Sequence, residues 1–131
     1  MITTVDVETS WQRNENGGYD PSPFHPDNIL VSVGINDEYY FTNHSERIDK
    51  GCFHKIQSIL DKTTLLVGHN IKFDLMWLLE SGFKYSGKVY DTMLGEYILN
   101  RGIRKSLTLE MSCRRRKIGS KDSSIKEYMD R

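Results

Sequence analysis

Three observations predict an α/β fold. Thr3, Val5 and Val7 alternate with Thr4, Asp6 and Glu8 at the start of the chain, the period-two pattern of a strand. Residues 29–35 (ILVSVGI) are rich in β-branched side chains and lead through Asn36-Asp37-Glu38 into Tyr39-Tyr40-Phe41-Thr42, which reads as a hairpin beside the first strand. A short apolar run, Thr64-Leu65-Leu66-Val67, then lies between two helical stretches, as expected of a strand buried on both faces.

Side chains two apart on a strand share a face, so Asp6 and Glu8 stand together, with their Cα atoms roughly 6.6 Å apart at about 3.3 Å of rise per residue. No basic residue adjoins them. The carboxylates repel, and a divalent cation between them is the simplest way to offset that. A strand whose polar face simply meets water carries the same pattern.

Residues 10–28 form a long polar loop with Gly17-Gly18 and three prolines, and loops of that length are uncommon unless functional. Trp11, three residues past Glu8, suits packing under this loop or stacking on a nucleic-acid base. Phe53, Ile56, Ile59 and Leu60 recur at helical spacing and predict a helix over 51–62. After residues 64–67 the strand ends at Gly68, and Asn70 is the expected N-cap of the next helix. Asp74 then falls in the first or second turn, above the carboxyl end of a strand, where open α/β sheets bind ligands. Lys88-Val89-Tyr90 reads as a last strand. Asp91-Thr92 opens a helix, Asp91 being read as its cap, with Met93, Leu94, Tyr97 and Ile98 on one face. Leu107 and Met111 suit a further helix, and residues 120–131 a polar helical segment. Tyr39, Tyr40 and Phe41, like Phe73, Met76 and Trp77, are core by spacing.

With 131 residues the chain is long enough to bury a core as one domain, residues 1–131. No apolar run approaches the roughly 20 residues that span a bilayer, and no signal pattern opens the chain. Cys52 and Cys113 match no metal or redox spacing, so a reducing, cytoplasmic compartment is expected. The zero net charge is divided: residues 1–100 hold 8 basic against 14 acidic residues, while residues 101–117 hold 7 basic residues against Glu110 alone. An acidic body followed by a basic segment suits metal in one place and phosphate in another; charge runs are also ordinary solvated faces. Arg114–Lys117 carries the same two readings, a contact to DNA backbone or polymerase, or an exposed helix face.

The sequences Asp6-Val7-Glu8 and Asn70-Ile71-Lys72-Phe73-Asp74 resemble the first two motifs of the DEDD superfamily of 3′–5′ exonucleases. Their surroundings, Val67–Leu75 and Tyr90-Asp91-Thr92-Met93-Leu94, are similar to the proofreading domain of family A DNA polymerases. Ser106-Leu107-Thr108-Leu109-Glu110 and the stretch up to Lys126-Glu127-Tyr128 are similar to its phage branch. The resemblance implies an RNase H-like fold, a mixed five-stranded sheet flanked by helices. It also implies two Mg²⁺ or Mn²⁺ ions that hydrolyse terminal phosphodiesters and release nucleoside monophosphates. Asp6 would bridge both ions, Glu8 would serve one and Asp74 the second. Asn70 and Phe73 match positions that shape the groove for terminal nucleotides, and Thr9 and Trp11 join them as expected substrate contacts. The implied partner is a single-stranded DNA 3′ end, in the host cytoplasm if the protein is phage-encoded.

The family's third motif, Tyr-x-x-x-Asp or His-x-x-x-x-Asp, supplies a fourth acid. No tyrosine here has an Asp four residues later. His44–Asp49 precedes the second motif, and His69–Asp74 is that motif. The expectation is therefore an exonuclease domain whose third-motif helix is missing, supplied by a polymerase domain or a second polypeptide. A catalytically incomplete module that holds DNA ends or docks on a polymerase, and an RNA-trimming DEDD nuclease, are the alternatives.

Overall fold

The structure is a computed structural model, and it describes residues 1–41, 50–101, 103 and 105–118. These fall into two compact units, Met1–Thr92 and the chain from Met93 onward. The first contains a five-stranded mixed sheet. Its strands are β1 (Ile2–Thr9), β4 (Leu30–Ile35), β5 (Glu38–Phe41), β6 (Leu65–Gly68) and β7 (Lys88–Asp91), in the order β5-β4-β1-β6-β7. β1 is central. It pairs antiparallel with β4, Asp6 opposite Gly34 and Glu8 opposite Ser32, and parallel with β6, Thr4 opposite Val67. β4 and β5 are antiparallel and β6 and β7 parallel. The expected α/β architecture is present.

The alternation along β1 sorts its two faces: Thr3, Val5 and Val7 are buried, while Ile2, Thr4, Asp6 and Glu8 are exposed. Val5 and Val7 belong to one core with Ile56 and Leu60 of α1 (Lys50–Lys62) and Ile71, Trp77 and Leu78 of α2 (Ile71–Glu80). Thr3, although polar, is fully buried because its hydroxyl meets that of Thr63 at 2.7 Å, and Thr63 Oγ1 donates to Ile59 O. β6 departs from the expectation of burial on both faces. Leu66 and Gly68 are buried, Leu65 and Val67 only partly. The Tyr39-Tyr40-Phe41 run also departs from a core reading. Tyr40 packs on the core, whereas Tyr39 is 69% and Phe41 78% exposed.

Residues 10–28 are not without regular structure. β2 (Gln12–Arg13) and β3 (Tyr19–Asp20) form a two-stranded ribbon, closed by Asn14, whose Oδ1 accepts the amides of Asn16 and Gly18. Buried Asn28 donates to the carbonyls of Asp20 and Ser22, and Ser10 exchanges hydrogen bonds with the Ile29 backbone. The Trp77 indole donates to Pro21 O at 3.1 Å, tying the segment to α2. Backbone groups that a polar loop leaves without ladder partners are here met by side chains.

The second unit contains α4 (Leu109–Arg116) and all but the first residue of α3 (Thr92–Leu99). Thr108 caps α4 by accepting from Met111 N, so Leu107 precedes the helix. Lys117, in the left-handed region, ends it. On α3 the apolar positions are turned out: Leu94 is 56%, Tyr97 50% and Ile98 71% exposed, while Glu96 is buried. Glu96 is buried because it is paired, its carboxylate taking Arg115 at 2.7 Å and Arg116 at 3.2 Å. Arg114 pairs with Glu110 one turn away. The expected helix over 120–131, and the positions Thr42, His44 and Asp49, lie outside the described residues.

Candidate functional site

Asp6 and Glu8 lie on the exposed face of the central strand, in register with two rows that cross the sheet. One row runs Asp6, Gly34, Tyr39; the other runs Glu8, Ser32, Phe41. Gly34 leaves room for the Tyr39 ring, since a Cβ there would stand 3.0 Å from Tyr39 Cε1. The face that bears both acids therefore also presents two exposed aromatic rings. Their strong β pattern hides this in the sequence, because one register position decides whether Tyr39 or Tyr40 faces the core.

Asp74 reaches the same strand from the other side. α2 packs on the buried face of β1. β6 ends at Gly68, and the Val7 amide is met by Asp74 Oδ1 at 3.1 Å. A Cβ at Gly68 would crowd the Ile71 tip at 2.6 Å and the Val5 carbonyl at 3.2 Å, with Asp74 Oδ2 in ordinary contact at 3.4 Å. Asp74 is 3% exposed, and burial, followed by the charges of Asp6 and Asp91, pushes its carboxyl up to about 7; hydrogen bonds from the Val7 amide and its own backbone only partly offset them. Among the described residues it has no lysine or arginine partner.

Asn70 does not cap α2 through its side chain. It adopts the left-handed conformation (φ 61°, ψ 51°) with no side-chain cap hydrogen bond, a geometry asparagine tolerates better than most residues. Phe73 is half-buried against the core. Thr9 sits at an irregularity in the β1–β4 register and is half-buried. Trp11 does not pack under its loop: it is 53% exposed and meets Tyr19 edge-on at 4.2 Å between ring centroids. Asp91, read from sequence as a helix cap, accepts the Asn70 amide at 2.9 Å.

The structure thus brings Asp74 to the backbone between Asp6 and Glu8, with Asp6 and Asp91 close enough to act on its charge. It does not gather the three expected ligands, for among the described residues no three His, Cys, Asp or Glu side chains group to hold a metal ion. Asp6 and Glu8 stand on the exposed face, whereas Asp74 comes from the helix side. The donor chemistry nonetheless fits a hard divalent cation. Carboxylate oxygens are the donors, and the ionised form of Asp74 is opposed by burial and two like charges, which a cation relieves.

No helix among the described residues is long and apolar enough to cross a membrane. No curated protein matches the chain. A family model of 3′–5′ exonucleases, of the family A DNA polymerase type, matches residues 15–110, a span that includes Asn70–Asp74 and Tyr90–Leu94 and begins after Glu8. The mixed sheet is that of an RNase H-like exonuclease fold. Covering more than half of the sequence, that match and the fold built around the Asn70–Asp74 turn show that this chain belongs to the 3′–5′ exonuclease family of family A DNA polymerases, a family of nucleic-acid hydrolases.

Proposed function

We propose that the chain is the proofreading exonuclease part of a phage-type DNA polymerase, acting in the cytoplasm. It removes nucleotides from single-stranded DNA 3′ ends, with Asp6, Glu8 and Asp74 as ligands of two Mg²⁺ or Mn²⁺ ions. The observation that carries this reading is the buried Asp74 carboxyl, held on Val7 N between two acids and lacking a basic partner among the described residues. When bound, the ions supply charge stabilisation to the entering and departing oxygens of the phosphodiester. The protein's own part is positional. β1 holds Asp6 and Glu8 on one rigid face, and the start of α2 delivers Asp74 to its edge. Tyr39, Phe41 and Trp11 offer exposed rings of the kind on which bases stack, and Asn70, Phe73 and Thr9 line the approach to the terminal nucleotide. A polymerase domain or a second polypeptide is the chain's partner in this reading.

The test is Mn²⁺ titration together with trimming of a 3′-labelled single strand. Asp6→Ala, Glu8→Ala and Asp74→Ala are each expected to weaken Mn²⁺ binding by about tenfold or more. Unchanged affinity in all three sinks the metal site and leaves a module that holds nucleic-acid ends without cutting. The 131 residues alone are expected to trim slowly. Fast Mg²⁺-dependent trimming abolished by Asp6→Ala would show that three acids suffice.

A further inference from the structure

The turn that carries the second motif has no cap of its own. Asn70 is left-handed and its side chain makes no cap hydrogen bond, although the first amides of a helix need partners. The Phe73 amide finds Asn70 O at 3.0 Å within the turn; the Asn70 amide finds its acceptor on the next strand. Asp91 Oδ1 accepts the Asn70 amide at 2.9 Å. Thr92 Oγ1 lies 2.9 Å from His69 Nδ1 and 3.3 Å from Gly68 O, to which it donates. Three consecutive residues, Gly68, His69 and Asn70, are thus gripped by Asp91, the last residue of β7, and Thr92, the first of α3, where Gly68 is paired with Asp91 in the parallel ladder. Four residues beyond Asn70, Asp74 meets Val7 N.

We infer that Asp91 and Thr92 form a clip that positions Asp74 on the edge of β1, Asp91 acting through the Asn70 amide rather than as a metal ligand. This rests on the metal-site reading of Asp74. The clip gives the Asn70 amide an acceptor that the turn itself lacks, and so fixes the one left-handed residue on which the direction of α2 depends. A site whose supporting residues are loose loses its geometry first.

The test compares Asp91→Ala, which removes the acceptor, with Asp91→Asn, which keeps an oxygen for the Asn70 amide and removes the charge. Two readouts are taken on the folded protein: Mn²⁺ affinity, and amide hydrogen exchange at Asn70 and Val7. Asp91→Ala is expected to weaken Mn²⁺ binding by about tenfold or more and to speed exchange at both amides. Asp91→Asn is expected to stay within about twofold on affinity and to leave both amides protected. Thr92→Val, which keeps the shape and removes the hydroxyl, is expected to show a weaker form of the alanine pattern and carries the test if Asp91→Ala does not fold. Equal loss of affinity in Asp91→Ala and Asp91→Asn would make Asp91 a direct ligand and overturn the inference. So would faster exchange at Asn70 with Val7 unaffected, or no effect of Asp91→Ala. If Asp74→Ala leaves Mn²⁺ affinity unchanged, the metal reading fails, and exchange at Val7 still decides whether the clip positions Asp74.

Discussion

Asp74 and Glu96 are both buried helical acids, 3% and 6% exposed, and they have opposite electrostatics. Burial pushes Glu96 up, but hydrogen bonds and charge from Arg116 and Arg115 outweigh it and hold the carboxyl below its usual range. For Asp74, burial and two like charges outweigh the backbone amides of Val7 and of Asp74 itself, so its carboxyl is pushed up to about 7. Burial alone therefore says nothing about role. An acid buried with its cations is structural, whereas one buried among other acids is a site waiting for charge. The difference also explains α3, where the two arginines draw Glu96 inward while the helix's apolar side chains are left exposed.

The two acids differ most in their pH dependence. In metal-free protein, folded Asp74 keeps its proton up to about 7, while the unfolded chain releases it near 3.8. The folded state then binds more protons between those values, so this group makes stability fall as pH rises through that window and adds no further loss above it. Asp74→Asn should flatten this slope and raise the melting temperature at pH 8. Mn²⁺ should raise the wild-type melting temperature at pH 8 more than that of the variant. A wild-type protein whose melting temperature rises steadily from pH 4 to 7 would break the contrast.

Next in size is Gly68→Ala. Its Cβ would crowd the buried Ile71 tip and press on the Val5 carbonyl beside the Asp74 carboxylate, for an expected loss of about 1–3 kcal/mol in denaturant unfolding. Mn²⁺ affinity should fall with it. The smallest effects belong to the paired acid. Glu96→Gln should lower the melting temperature while sparing Mn²⁺ binding. Arg114→Ala, which removes an exposed pair one helical turn apart, should cost about 0.3–0.5 kcal/mol. A Glu96→Gln protein that loses Mn²⁺ would erase the distinction between the two acids.

Much of the sheet was legible in the residues. Thr3 to Glu8 alternate because one face of β1 is core and the other is open, and the β4 and α1 patterns follow the same logic. Legibility failed where a partner lies far along the chain. Asparagine suits both an N-cap and a left-handed turn, so nothing local shows that Asn70 takes the second role with Asp91 as its acceptor, 21 residues away. The ribbon in residues 10–28 depends on Asn28 and Trp77 rather than on strand propensity. Asp6, Glu8 and Asp74 were identifiable by type and motif. That Asp74 reaches the edge of β1 from the helix side, away from the face of Asp6 and Glu8, was not, since it depends on where β6 stops.

The central position of β1 has a kinetic consequence. Its β4 partners lie close in sequence, Thr9 pairing with Leu30 and Val5 with Ile35. Its other edge waits for a distant segment, Ile2 pairing with Leu65. Doubling a closing loop costs only about 0.6 kcal/mol, so the long parallel closure burdens folding speed more than final stability. The β1–β4–β5 meander can assemble early, exposing the acidic pair, while Asp74 docks on Val7 only after β6 has arrived. Pulse-labelled hydrogen exchange during refolding should find β4 amides protected before that of Val7. The opposite order would mean that the parallel half of the sheet leads.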